Sequence, residues 1–286
     1  MIERISILGT GLLGASAGLA LRAAGFRGTI VGWNRSPEQA RIALDMGALD
    51  SIAEDPVGAA RASDVVLLAV PIYATLEWME KLSSVLGPEH LVTDVGSTKA
   101  QITEAAGRLF NRPDRAAFLP GHPMAGKERG GAALADAELY RGAVWLFTDD
   151  AKWERSPHSA ALVRAWREWI VALGCKVIDL DPVRHDELVA WVSHLPQFVA
   201  TAMSALLEDE VGDAPELKSV GGRGLREMTR LGASPFSMWR DIAHTNTEAI
   251  EAALQALEQR LAHIRENLRT PALRDEFEKA NRFRRE

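Results

Sequence analysis

The chain has 286 residues, 47% hydrophobic and 25% charged, with a formal net charge of −6. That length holds one large domain or two ordinary ones, and the acidic balance argues against a nucleic-acid partner, whose binders carry a basic excess. No apolar run approaches the roughly 18 residues of a membrane helix, "MIERISILG" lacks a signal-peptide core, and one cysteine, Cys175, allows no disulfide within the chain. The expected setting is cytoplasmic, with no membrane partner.

Apolar strands and helices alternate through the first two thirds. "RISILG" predicts a strand over Ile5 to Leu8, and "LLGASAGLALRAAG" a small-residue helix that stops at Gly25. "TIVGW" is a second strand. "SPEQARIALDMG" is a helix with Ser36 as N-cap and Pro37 at its first position. "DVVLLAVP" is a third strand, "HLVTDVG", "AAFLPG" and "AVWLFT" continue the series, and "CKVIDL" closes it. Apolar strands alternating with helices imply an α/β fold, a doubly wound parallel sheet covered on both faces. Cys175, beside the last strand, reads as a small buried hydrophobe.

Strands disappear after Asp181. "HDELVAWVSHLPQFVATAMSALLE" predicts one long helix, bent at Pro196 and capped by His185 and Asp186. "GDAPELKSVGGRGLREMTRLGASPF" is a broken, glycine-rich middle. A long helix starts near Pro235, and its residues Ile250, Leu254, Leu257, Leu261, Ile264 and Leu268 form a heptad seam. The seam fits either a buried position within the domain or a subunit interface. The tail "FEKANRFRRE" reads as a solvated helix end.

"ILGTGLLG" places Gly9, Gly11 and Gly14 as G-x-G-x-x-G between a strand and a helix. Gly9 suits the tight turn, Gly11 the close approach of a pyrophosphate, and Gly14 helix–strand packing. The helix N-terminus then offers free N–H groups to the phosphates. Leu12 and Leu13 complete this cofactor loop, and Val70 and Pro71 after the third strand are further candidate cofactor contacts. The ribose reader is expected about 20 positions on, in "GWNRSP". Asn34 there does not repel a 2′-phosphate, Arg35 offers it a charge-assisted fork, and Ser36 a hydroxyl. NADP is therefore the favoured cofactor, with NAD possible. Residues 1–181 form the expected dinucleotide-binding domain and 182–286 a helical substrate and dimerisation domain.

Two motifs arrive at the carboxyl edge of the sheet, where open α/β folds bind ligands. "VTDVGSTK" brings Ser97, a hydrogen-bonding group or a helix N-cap. "FLPGHPMAGKERGG" brings His122 in a stretch poor in helix and strand formers, a rigid loop that holds one imidazole over a cleft. No metal-ligating cluster is expected.

Taken in order, "GTGLLGASAGLAL", "VLLAVP", "DVGSTK", "GHPMAGKERGG", "HDELVAWVSHLP" and "MTRLGASPFSMWRDI" resemble the prephenate and arogenate dehydrogenases of tyrosine biosynthesis. The resemblance implies an NAD(P)-dependent oxidative decarboxylation of prephenate or arogenate, and a homodimer through the C-terminal helices. It implies that His122 is the catalytic base and Ser97 the serine that orients it. It also implies that Arg230 holds the ring carboxylate and that Ser193, His194 and Trp239 line the substrate pocket. Glu128 and Glu227 stand where the family has acidic residues at the entrance. Many members read S-H-L-P-H where this chain has Gln197, which leaves the choice between the keto acid and the amino acid side chain to that neutral amide. The competing expectations are a 3-hydroxy-acid dehydrogenase, an imine reductase, and a dinucleotide-binding redox sensor without catalysis.

Overall fold

The computed structural model describes residues 1–285, the side chains of 217 and 218 excepted. Its first part runs β1 (Arg4–Leu8), α1 (Leu12–Ala23), β2 (Thr29–Trp33), α2 (Pro37–Asp45), β3 (Ser51–Ile52), α3 (Pro56–Arg61), β4 (Val65–Leu68), α4 (Ile72–Ser83), β5 (Leu91–Asp94), α5 (Ala100–Leu109) and β6 (Ala117–Leu119). The six strands form one parallel sheet in the order β3-β2-β1-β4-β5-β6. Every residue of β4, β5 and β6 is buried, as the continuous apolar runs of a two-sided sheet require. The sequence pattern missed β3 and α3. A two-residue edge strand is too short to show a period, and α3 is held by its cap, where Asp55 accepts the Val57 N–H at 3.0 Å.

The last strands correct the sequence reading. β7 (Gly121–Pro123), β8 (Val144–Phe147) and β9 (Lys176–Asp179) do not extend the doubly wound sheet. They form a second, three-stranded sheet, with β7 antiparallel and β9 parallel to β8. The break falls at Pro120, which has no N–H for a ladder. The next N–H, from Gly121, leaves the sheet and donates to Asp94 Oδ1 at 3.0 Å. His122 is therefore a strand residue, paired with Leu146, where the sequence predicts a loop. Between β8 and β9 lies α6 (Pro157–Ala172).

The second part is helical: α7 (Pro182–Val189), a π-helical turn (Ala190–His194), α8 (Leu195–Val211), α9 (Leu217–Val220), α10 (Arg223–Thr229), a 3-10 turn (Arg230–Ala233), α11 (Phe236–Thr245), α12 (Thr247–Glu266) and α13 (Ala272–Arg285). The expected long bent helix is thus two α-helices joined by a wide turn. Pro196 cannot donate to the Val192 carbonyl four residues back, and the turn before it opens to five-residue spacing. The cap is Asp181, which accepts Val183 N–H at 2.9 Å and Arg184 N–H at 3.0 Å. His185 and Asp186 do not cap their own helix; they sit a turn further in and are buried. The helix from Pro235 also breaks, at Asn246. The heptad seam runs along α12 from buried Ile250 to Leu261, 55% exposed, and its last residue, Leu268, 61% exposed, lies just past the helix end.

Two apolar layers flank the six-stranded sheet. One joins Ile5, Ile7 and Leu67 to Leu21 and Trp166. The other joins Leu8, Val66 and Leu68 to Met79, Ile102 and Phe110, and it takes in Ile242 and Ile250 from the helical part. That shared layer sets the helices against the sheet.

A side-chain carbon on Gly14 would run into the Gly9 carbonyl oxygen, whereas one on Gly11 meets no atom within 4 Å. Gly14→Ala is expected to cost about 1–3 kcal/mol in denaturant unfolding. Gly11→Ala is expected to stay within about 0.5 kcal/mol of the parent. Equal losses for the two would contradict the packing described.

Candidate active site

The site is built on buried charge at the carboxyl edge of the sheet. Asp94, the last residue of β5, pairs with Lys99, and both side chains are fully buried. Asp94 also accepts the Gly96 N–H at 2.7 Å and the Gly121 N–H at 3.0 Å. Burial pushes the Lys99 pKa down, and the Asp94 carboxylate opposes that shift. From α7, Asp186 accepts the Lys99 N–H at 2.7 Å and the Ala100 N–H at 2.9 Å, so a carboxylate caps the N-terminus of α5. The Nδ1 of His185 lies 2.7 Å from Asp186 Oδ1, and its Nε2 lies 2.9 Å from the Nδ1 of His122.

All three histidines of the site are held toward the neutral form. His122 is pushed well below its ordinary value, first by burial and then by His185, Lys99 and His194. Burial also lowers His185, against the pull of Asp186. His194 is pushed down to about 4, again first by burial. An imidazole in dry surroundings loses the hydration that favours its cation.

Ser97 lies half-buried in the turn after β5. Its hydroxyl makes no hydrogen bond among the described residues, and the N-cap position of α5 falls to Lys99 instead. The ring of His122 is met by His185.

The helical part closes the other side. His194, in the π-helical turn, has its Nδ1 3.3 Å from Asn246 Nδ2, which also donates to the Asp186 carbonyl at 2.8 Å. Trp239 stands edge-on to His194 and Phe198, with centroids 5.8 and 5.9 Å away. His194 Nε2 and Trp239 Nε1 are buried with no hydrogen-bond partner, the condition a polar ligand relieves. Ser193 is half-buried in the same turn. Gln197 is buried and engaged on every side. Its Nε2 donates to the Leu231 carbonyl at 2.7 Å and to Thr201 Oγ1 at 3.1 Å, and its Oε1 accepts from Ser234 at 3.1 Å. Gln197 thus braces the 3-10 turn that begins at Arg230. Arg230 is 60% exposed and pairs with Glu128 across the rim. Glu227 is placed away from that pair, bonded to Arg223 at 2.6 Å on the surface.

Sequence reasoning missed Asp94, Lys99, His185, Asp186 and Asn246 as site residues. The signals present were an acid ending an apolar strand in "VTDVGSTK" and a His-Asp pair one turn into a helix.

At the same carboxyl edge of the sheet, after β1, Gly9 has φ +100°, and a side chain on it would strike the Ala69 carbonyl. Gly11 is the N-cap of α1, and no acid stands in the first turn. Leu12 is buried, while the Leu13 carbonyl accepts the Tyr140 hydroxyl at 2.7 Å. Asn34 Oδ1 accepts the Ser36 N–H at 3.0 Å. Arg35 is exposed and has no carboxylate partner among the described residues. Val70 and Pro71 link β4 to α4. A loop closed to side chains at Gly9 and Gly14, yet open at Gly11 before a helix N-terminus, fits a dinucleotide pyrophosphate.

Two family models match in tandem. "Prephenate dehydrogenase, nucleotide-binding domain" covers residues 17–172, and "Prephenate dehydrogenase, dimerization domain" covers residues 181–282. The prephenate dehydrogenase of Lactococcus lactis subsp. cremoris is 32% identical over 264 residues, 92% of this chain and 70% of the relative. The structure of A. aeolicus prephenate dehydrogenase in complex with hydroxyphenyl propionate and NAD+ matches with a TM-score of 0.86 and 29% identity, over 100% of this chain and 98% of that one. Synechocystis arogenate dehydrogenase matches with a TM-score of 0.75 and 28% identity, over 98% of each chain. With a dinucleotide-type sheet followed by a helical half that carries the matching motifs, this chain belongs to the prephenate dehydrogenase family.

Proposed function

We propose that this chain catalyses the oxidative decarboxylation of prephenate to 4-hydroxyphenylpyruvate, with a nicotinamide dinucleotide as oxidant. The observation that carries the reading is a buried, neutral histidine at the carboxyl edge of a dinucleotide-type sheet. Gly9, Gly11, Leu12, Leu13, Gly14, Asn34, Arg35, Ser36, Val70 and Pro71 would hold the dinucleotide, which supplies the hydride acceptor. His122 takes the proton of the ring hydroxyl as the carbinol C–H bond breaks. It returns that proton to the phenolate oxygen once CO2 has left and the ring is aromatic. General base catalysis of this kind contributes about 10²–10⁴ in rate.

Arg230 would exchange Glu128 for the ring carboxylate, with the bidentate geometry that favours arginine over lysine. His194 and Trp239 offer unpaired buried nitrogens to the substrate, with Ser193 in the same π-helical turn as His194 and Ser97 in the turn after β5. Gln197 contributes by holding the Arg230 turn. Arogenate is the second reading, and the neutral state of both Gln197 and His194 favours it, because neither repels an ammonium. The favoured cofactor is NADP: Asn34 spends its oxygen on Ser36, and Arg35 stands free to meet a 2′-phosphate. Residues 1–181 would form the dinucleotide unit and 182–286 the helical unit. The uncovered seam ending at Leu261 and Leu268 is the proposed homodimer contact. No described helix is long and apolar enough to cross a membrane, and the cytoplasm is the proposed location.

Incubation with prephenate or arogenate and each dinucleotide, followed by reduced-cofactor absorbance, tests the reaction. His122→Asn should lower kcat at least about a hundredfold while dinucleotide affinity stays within about twofold; a near-normal kcat overturns the assignment of the base. Because burial holds His122 well below 6.5, kcat/KM should stay flat from neutrality down through pH 6.5. It should fall only in more acidic solution, where the imidazole gains a proton and can no longer accept one. A midpoint at or above 6.5 counts against a buried base. Asn34→Asp should shift preference from NADP toward NAD. A parent enzyme that already prefers NAD tenfold, about 1.4 kcal/mol, removes the basis for NADP.

A further inference from the structure

We propose that His185 and Asp186 are positioning residues that fix the tautomer of His122, with the proton on Nδ1 and the lone pair on Nε2 offered to the substrate hydroxyl. The inference rests on His122 being the base, and it follows from donor and acceptor accounting along one chain of contacts.

Asp186 accepts two backbone N–H groups at the start of α5, so both oxygens are committed as acceptors. His185 Nδ1, 2.7 Å from Oδ1, must therefore donate. A neutral imidazole has one N–H, and burial lowers the His185 pKa, so its Nε2 carries no proton. Nε2 lies 2.9 Å from His122 Nδ1, and a contact between two ring nitrogens needs one proton. His122 Nδ1 supplies it. His122 Nε2 is then left bare, the state a general base requires.

The arrangement places a carboxylate, an intermediate imidazole and a working imidazole in series. The carboxylate is fixed by backbone groups rather than by a mobile side chain. The charged and titratable groups packed around the series are Asp94 and Lys99 from the β5–α5 turn and His194 from the π-helical turn. Lys99 is neutralised by Asp94, and His194 is neutral near pH 7. Neither forms a hydrogen bond with His122 among the described residues, and the partner of Nδ1 is His185.

Asp186→Leu tests the proposal. His185 Nδ1 and the Lys99 N–H share Asp186 Oδ1, so an amide could keep its oxygen on both, whereas leucine offers His185 no acceptor. An unmet buried donor costs more than a bare ring nitrogen, so His185 moves its proton to Nε2, donates it to His122 Nδ1, and forces His122 into the opposite tautomer. The same kind of error in serine proteases costs about 10⁴ in kcat. Here kcat should fall at least about a hundredfold, with substrate KM and dinucleotide affinity within about threefold. Histidine ring ¹⁵N spectra read the tautomer directly. The parent should show a protonated Nδ1 and a bare Nε2 for His122, and Asp186→Leu should reverse the pair.

Should Asp186→Leu fail to fold, His185 is the second probe. His185→Gln keeps an acceptor for His122 Nδ1 and a donor for Asp186, and should retain at least about tenfold more kcat than His185→Leu. A protonated Nε2 on His122 in the parent, an unreversed pattern in Asp186→Leu, or equal kcat for Gln and Leu at position 185 overturns the proposal. If the nitrogen pattern holds while neither prephenate nor arogenate is oxidised, the substrate reading fails and the tautomer assignment stands.

Discussion

Two buried carboxylates hold the site together, and the rest of the architecture is arranged to make their burial tolerable. A charge taken out of water costs several kcal/mol unless it is paired and hydrogen-bonded. Asp94 is met by Lys99, Gly96 and Gly121, and Asp186 by Lys99, Ala100 and His185. Each carboxylate therefore collects backbone from separate elements. Asp94 fixes the turn after β5 and the first residue of β7, so the ring of His122, one residue on, has a defined origin. Asp186 fixes α7 on the N-terminus of α5. Removing one partner from such a pair costs about 3–5 kcal/mol, which ties the geometry of the site to the stability of the fold.

The helical half is joined to this centre through polar contacts as well as through its apolar layer. Thr98 and Thr245 bond hydroxyl to hydroxyl at 2.7 Å, and Asn246 spans from the Asp186 carbonyl to His194. The break between α11 and α12 falls at that asparagine, because its side chain bonds across to α7 and the π-helical turn. At the rim the balance differs. The Arg230–Glu128 pair is partly solvated, where ion pairs contribute about 0–1 kcal/mol, so the carboxylate proposed to bind there would displace Glu128 at small cost. The backbone below does not share that freedom, since Gln197 holds it from three sides.

Much of this was legible in the residues. The strand–glycine–helix opening, the apolar runs and the loss of strands after Asp181 carry their own periodicity and stop signals, and they fixed the fold class and the dinucleotide loop. The arrival of His122 at the carboxyl edge of the sheet was legible from its place after a strand. What failed were features decided by long-range contacts. Local pattern could not show that Pro120 ends one sheet and begins another, because the alternative partner for the Gly121 N–H is a carboxylate 27 positions earlier. His185 and Asp186 look like caps because polar residues at a helix start usually are. Only the packing of α7 on α5 turns them inward. Glu227, read with the entrance, finds its partner four residues away on its own helix.

The π-helical turn between α7 and α8 has a geometric consequence for reading spacing along this segment. In a continuous α-helix, residues nine apart are separated by about two and a half turns and point to opposite sides. His185 and His194 are nine apart, yet they are close enough for one to depress the other's pKa, and one asparagine reaches the backbone of Asp186 and the ring of His194 together. The wide turn removes part of the expected rotation. The segment behaves as a helix with one residue in excess, and that residue works as an angular offset that brings two histidines onto a common side. A helical wheel drawn through this stretch at constant pitch would place half of the site on the wrong face.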